Sequence, residues 1–178
     1  INIPSDKSLA RKASKNPDDF SDLFDRYAIK VYRYVYSRVN HHESAEDITS
    51  QVFLDAFKHI TQYKPVGPFA AWLFTIARRR IADFYRKQNP TEELSDKAPQ
   101  DAPEIITKVV TNEAIREVEV QLQTLNDEER ELLRLRFAAG MRYKEFATLL
   151  DKKPGAVKIA TYRLINRLKK NLENSNGS

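Results

Sequence analysis

Apolar residues recur every three or four positions along most of this chain, and the breaks in that rhythm predict seven helices. Phe20, Leu23, Phe24, Tyr27, Val31, Tyr34 and Val35 form the first stripe. Asn16 is placed to cap that helix and Pro17 to occupy its first turn, so it runs from about residue 16 to Asn40. A second helix over 43–62 carries Ala45, Ile48, Val52, Ala56 and Ile60 on one face, and Pro65-Val66-Gly67-Pro68 ends it. A third over 69–87 presents Phe69, Trp72, Leu73, Ile76, Ala77, Ile81 and Phe84. Three such stripes can bury one another.

Residues 1–15 hold Ser, Lys and Asp without periodicity and read as a disordered tail. Residues 89–103 contain Pro90, Pro99 and Pro103 among Thr, Ser, Asp and Glu, the composition of a linker. A fourth helix follows over 104–124 with Ile105, Val109, Ile115, Val118 and Leu122. Asn126 and Glu129 are spaced as a capping box, so a fifth helix starts there, runs to about Ala138 and ends at Gly140. A short sixth helix over 142–150, a break at Lys152-Lys153-Pro154-Gly155 and a seventh helix over 154–172 complete the pattern. Asn174 to Ser178 should fray. The fold class is all-α. Two small helical domains, 16–88 and 104–173, are joined by a flexible linker.

Composition narrows the chemistry. The 178 residues include no cysteine, which excludes disulfides and Cys-based metal sites. His41 and His42 are adjacent and cannot share a helix face, and His59 lies far along the chain, so a histidine zinc site is not expected. No apolar run approaches the roughly 20 residues of a membrane span, and no signal peptide is visible. No Gly-rich phosphate loop or nucleophile motif is present. The expectation is a protein of the cytoplasm with no metal, no cofactor, no membrane insertion and no catalysis of its own.

Charge adds a second pattern. Residues 64–88 hold six basic side chains against Asp83 alone, and residues 141–172 hold nine against Glu145 and Asp151. Residues 89–131 hold twelve acidic side chains against four basic, and residues 41–63 net −3. Two basic blocks separated by acid suggest two contacts with a polyanion, nucleic acid before membrane.

The second basic block lies on a helix-turn-helix pattern. Tyr143, Phe146, Ala147 and Leu150 face inward on its first helix, and Val157, Leu164 and Leu168 on its second. The opposite face of the second helix carries Lys158, Thr161, Tyr162, Arg163, Asn166, Arg167, Lys169 and Lys170. A recognition helix needs this division, with early residues at base edges and cations on phosphates. In the first basic block Phe69, Trp72, Phe74, Phe84 and Tyr85 interleave with Arg78, Arg79, Arg80, Arg86 and Lys87. Rings that stack on unpaired bases beside guanidiniums that follow a backbone would bind a single strand, although the same aromatics sit at core spacing. The second helix presents Glu43, Glu46, Asp47, Gln51 and Asp55, either a solvated face or a docking face for a basic partner.

In order and in wording these segments resemble the extracytoplasmic-function (group IV) sigma factors of bacterial RNA polymerase. Ala45-Glu46-Asp47-Ile48-Thr49-Ser50-Gln51-Val52-Phe53-Leu54-Asp55-Ala56-Phe57 is similar to that family's clamp-binding helix in region two. Phe69-Ala70-Ala71-Trp72-Leu73-Phe74-Thr75-Ile76-Ala77-Arg78 is similar to its promoter-melting helix. The stretch from Leu125 to Ala147 resembles the start of region four, and Gly155-Ala156-Val157-Lys158 resembles the opening of its recognition helix. The resemblance implies a subunit that binds core RNA polymerase, at the beta-prime clamp and the beta flap, and directs promoter recognition, melting and initiation. Glu46, Asp47, Gln51, Phe53 and Leu54 would dock on the clamp. Lys64, Phe69, Trp72, Arg78, Arg79, Arg80, Asp83, Arg86 and Lys87 would hold the non-template strand of the minus-ten element, with one base flipped into a pocket. Arg142, Lys158, Ile159, Thr161, Tyr162, Arg163 and Arg167 would read the minus-thirty-five element as duplex. The acidic linker would thread along the polymerase cleft.

The chain departs from that pattern in three places. Arg79 stands where the family commonly has Asn, and Ile159 and Ala160 replace the usual Ser and Arg. Strand capture becomes more basic and duplex reading loses a contact, so recruitment by another protein joins an anti-sigma factor among the expected partners. A helix-turn-helix regulator acting without polymerase and a helical interaction adaptor are the alternatives.

Overall fold

Asp6–Lys15 forms a helix, α1, in the tail expected to be disordered. The computed structural model describes residues 4–88 and 113–175. Ser5 caps α1 by accepting a hydrogen bond from the Ser8 amide, and Asp6 and Lys15 lie at the ends that suit the helix dipole. Its buried residues are Leu9, Ala10 and Ala13, a stripe too short and too small to announce itself in sequence. Asp6 anchors the helix to its neighbour, taking the Arg26 guanidinium and, at 2.6 Å, the Tyr27 hydroxyl.

Asn16 caps as expected, accepting from the Asp18 amide at 3.4 Å, but the first turn it starts is a 3-10 turn over Pro17–Phe20. Helix α2 then spans Ser21–Val39 and ends where Asn40 adopts a left-handed φ of 51°. Helix α3 covers His42–His59 and passes into a 3-10 turn at Ile60–Gln62. Helix α4 covers Phe69–Gln88. Their stripes meet as the spacing predicts. Leu23, Val31, Val35, Val52, Leu73 and Phe74 are fully buried, and Tyr34 meets Phe74 edge to face with centroids 5.3 Å apart.

The second half comprises α5 (Glu113–Gln123), α6 (Asp127–Leu133), α7 (Tyr143–Leu149) and α8 (Pro154–Ser175). The expected linker 89–103, and residues 104–112 of the expected fourth helix, lie outside the described residues. The capping box at α6 forms: Asn126 accepts from the Glu129 amide at 2.9 Å, and Glu129 accepts from the Asn126 amide at 3.2 Å. Asn126→Ala should lower the unfolding free energy by about 1 kcal/mol, read as a shifted urea midpoint at unchanged slope. The helix expected to reach Ala138 widens into a π turn over Arg134–Ala138. Gly140 follows with φ of 63°, a conformation that suits glycine, and this lets the chain reverse into α7. Helix α8 reaches Ser175, so Asn174, expected to fray, is helical.

The two sets of helices share one core. Leu132, Leu135, Ala139, Met141, Phe146 and Ala147 join the same buried cluster as the side chains of α1 to α4. Helix α7 packs on α4, and the π turn packs on α2. Amphipathic stripes say which face of a helix is buried but not which element covers it, so this packing is new information.

Candidate functional site

Helix α3 turns Glu46, Asp47, Gln51 and Leu54 to solvent. Phe53, expected among them, is 5% exposed and packs edge to face against Phe20 and Phe24. It is a support for the face and not part of it. Two aromatics outside the expected docking set take its place: Phe24 and Phe57 are each 45% exposed. With Pro17, Phe20, Phe53 and Leu54 they line an apolar groove of about 540 Å³. Phe24 lies on the predicted core stripe of α2, so periodicity hid its exposure.

Helix α4 presents the second candidate surface. Lys64, Arg79, Arg86 and Lys87 are exposed, and Trp72 is half-buried. Phe69 is 3% exposed and packs among Tyr27, Tyr63 and Trp72, so it leaves the set of strand-contacting rings. Phe74 is fully buried, and the Tyr85 hydroxyl donates to the Arg38 carbonyl at 2.6 Å, which leaves Trp72 and the half-buried Phe84 as the stacking candidates. Arg80 is also committed, through a two-pronged bond to Asp55 at 2.5 and 2.6 Å. That fork holds the Asp55 carboxyl below the usual carboxylate range and fastens α4 to α3. Asp83 pairs with Arg86 at 3.2 Å. Beside the start of α4, a cleft of about 220 Å³ lies between Tyr63, Lys64, Gly67, Trp72 and, from α7, Thr148 and Leu149.

Arg78 faces the other half of the molecule. Its Nε lies 3.7 Å from Glu131 of α6. Glu131 is 6% exposed and also accepts from the Tyr34 hydroxyl at 2.6 Å and from Arg38 at 3.0 Å. Burial, followed by the nearby Glu131 charge, pushes the Tyr34 hydroxyl far above its ordinary range, so it stays a donor. Helical spacing accounts for its position: Glu131 lies four residues before Leu135 and so shares the inward face of its helix.

Helices α7 and α8 form the expected helix-turn-helix, with Phe146, Ala147, Val157 and Leu164 buried between them. Lys158, Ile159, Tyr162 and Arg163 are exposed on α8. Thr161 is fully buried and donates to the Val157 carbonyl at 2.7 Å, so it cannot reach a base. Tyr162 lies beside Tyr143 with centroids 6.1 Å apart, and the Lys158 ammonium sits 5.9 Å from the Tyr162 ring. Arg142 is exposed and pairs with Glu145 at 2.8 Å. Arg167 pairs with Glu129 at 2.8 Å. Both guanidiniums are exposed, but Glu145 is buried, so Arg142 leaves its partner for a phosphate at a greater cost than Arg167 does.

Among the described residues no cluster of His, Asp and Glu could hold a metal ion, and no helix is long and apolar enough to cross a membrane.

Comparison with known proteins assigns both halves. The family model for Sigma-70 region 2 matches residues 23–91, and the model for Sigma-70, region 4 matches residues 115–168. The ECF RNA polymerase sigma factor SigD of Mycobacterium tuberculosis is 31% identical over 150 residues, covering 78% of this chain and 70% of that protein. The ECF RNA polymerase sigma factor BldN of Streptomyces coelicolor is 33% identical over 168 residues, covering 90% of this chain. This chain spans 62% of BldN's length, under two thirds of it. In a solved complex with the cytosolic domain of CnrY, CnrH shares the fold, with a TM-score of 0.65 over 98% of both chains at 22% identity.

Proposed function

The chain belongs to the extracytoplasmic-function sigma factors of the sigma-70 family, and from that membership we propose that it binds core RNA polymerase and directs it to promoters. The observation that carries this reading is the division of labour among three exposed faces. Helix α3 offers acid and apolar groups, α4 offers arginines beside half-buried rings, and α8 offers cations on a helix-turn-helix. An operator-binding regulator needs only the last of these.

On this reading Glu46, Asp47, Gln51 and Leu54, widened by Phe24 and Phe57, dock on a basic, partly apolar surface of the polymerase clamp. The C-terminal half meets the beta flap. Lys64, Trp72, Arg78, Arg79, Arg86 and Lys87 hold the melted non-template strand. Lys158, Ile159, Tyr162 and Arg163 face the major groove of the upstream element, with Arg142 and Arg167 on phosphates. Such work places the protein in the cytoplasm with the nucleoid. An anti-sigma factor or a recruiting protein completes the set of partners, and the missing side chain at Ala160 favours the second.

A pull-down with core polymerase tests the reading as a whole, and failure to bind removes it. Arg163→Ala should weaken promoter binding by the holoenzyme by about 1–3 kcal/mol if the guanidinium forks onto a base. Unchanged affinity would take Arg163 out of the reading set.

A further inference from the structure

Helix α1 belongs to none of the three faces that α3, α4 and α8 present. The matched Sigma-70 region 2 segment begins at residue 23, so α1 lies outside it. Leu9, Ala10 and Ala13 face the core, and the one acid of the helix, Asp6, is taken by Arg26 and Tyr27. The opposite side carries Lys7, Arg11, Lys12 and Lys15, all exposed. Among the described residues none of these four enters an ion pair. Lys7, Arg11 and Lys15 are spaced four residues apart and stand in one row along the helix. Each step covers about 6 Å of helix axis, a stride comparable with that between neighbouring phosphates of an extended strand. We propose that this row binds the phosphate backbone of the opened non-template strand where it continues past Lys64, lengthening the strand-capture surface by one helix. The proposal rests on the strand-capture reading of residues 64–87 and extends it.

The place of α1 in the fold carries the assignment. The helix packs on the turn Ile60–Gln62 and on α4, and Lys64 follows that turn by two residues. Burial, and then the Asp6 charge, raises the Tyr63 hydroxyl above its ordinary range, so the N-terminal end of α1 lies beside the segment that delivers Lys64. Asp18 and Asp19 lie past the other end of the helix, on the following 3-10 turn. The row therefore starts next to the basic strand-capture surface and ends next to acid. No aromatic side chain is present on α1, so its face can neutralise phosphate but offers no ring for a base. Leu9, Ala10, Ala13 and the Asp6 contacts fix the helix to the folded body, which sets the cations in line before a strand arrives.

The test uses the holoenzyme reconstituted from core RNA polymerase and the full chain. The probe is a fluorescein-labelled DNA duplex with a preopened, A/T-rich bubble, and binding is read by anisotropy over a salt series. Lys7→Gln, Arg11→Gln and Lys15→Gln combined should weaken binding about tenfold at low salt. The slope of log affinity against log salt should fall by about 2, the counterion release of three phosphate contacts on a single strand. The three side chains are exposed, so the variant should melt with the parent. Lys7→Arg with Lys15→Arg keeps the charge and should bind as the parent does. Three consecutive methylphosphonates, moved along the bubble strand, remove phosphate charge locally. At one place they should weaken the parent and leave the triple variant unaffected.

Unchanged affinity and salt slope in the triple variant overturn the proposal. So does an equal loss in the charge-preserving variant, or a methylphosphonate effect that is the same in parent and triple variant at every position. A loss confined to core binding, read by titrating labelled chain with core polymerase, makes the row a polymerase contact and also overturns it. Arg79→Gln with Lys87→Gln separates these failures from that of the underlying reading. If this pair weakens bubble binding, strand capture stands without α1. If it has no effect either, the strand-capture reading falls and takes this one with it.

Discussion

Phe74→Ala lowers the free energy of unfolding by about 3–5 kcal/mol, the usual cost of emptying a buried aromatic site. Phe74 is fully buried in the middle of α4 and meets Tyr34 edge to face. Tyr34 is itself fully buried, and its hydroxyl is fixed by Glu131 of α6. Truncation therefore opens a cavity at the point where both halves meet, and the Tyr34 ring cannot move in to fill it without giving up that bond. Urea denaturation of the intact chain provides the measurement. A loss below about 1 kcal/mol would mean that the site collapses freely and that the shared core is loosely packed. Phe57→Ala is the contrast: Phe57 is 45% exposed on the docking groove, and its loss should fall on binding and leave stability within about 1 kcal/mol.

Asp47→Arg should abolish binding to core polymerase, a loss on the order of 3 kcal/mol or more, because it sets a cation against a basic partner surface. Asp47 is exposed on α3, beside Glu46 and Gln51 and next to the apolar groove. Since the side chain supports no core contact, the helix content and the melting transition should match the parent. Binding is read by titrating labelled chain with core polymerase. A folded Asp47→Arg variant of parental affinity would move the docking site off this face. The effect should weaken with added salt at the rim of the contact and persist where the groove is desolvated.

Both expectations draw on features that differ in how plainly the sequence states them. Helical periodicity located α2, α3, α4, α7 and α8 to within a few residues, since one apolar stripe per helix is a local property of spacing. The capping box at Asn126 and Glu129 was equally local and equally visible. So were the exposed cations Lys158 and Arg163, which lie opposite the stripe of Val157 and Leu164. Helix α1 was not visible, because it is held by two alanines, one leucine and an ion pair to Arg26, twenty residues away. Phe53, Phe69 and Thr161 sat in the right segments for binding and turned out to be buried. A motif names a stretch of helix, whereas exposure depends on which neighbour lies over each position.

The sequence by itself determined that this chain is helical, where most of its helices begin and end, and which faces carry acid, arginine and a helix-turn-helix. Those properties depend on residues three or four positions apart, and hydrophobic burial enforces them whatever the helices pack against. Only the tertiary structure decided that the two halves close on each other, that Arg80 belongs to Asp55, and that Arg78 meets Glu131. Those pairings join residues 25 and 53 positions apart, and their partners are chosen by the shapes of whole faces. No local spacing records that choice.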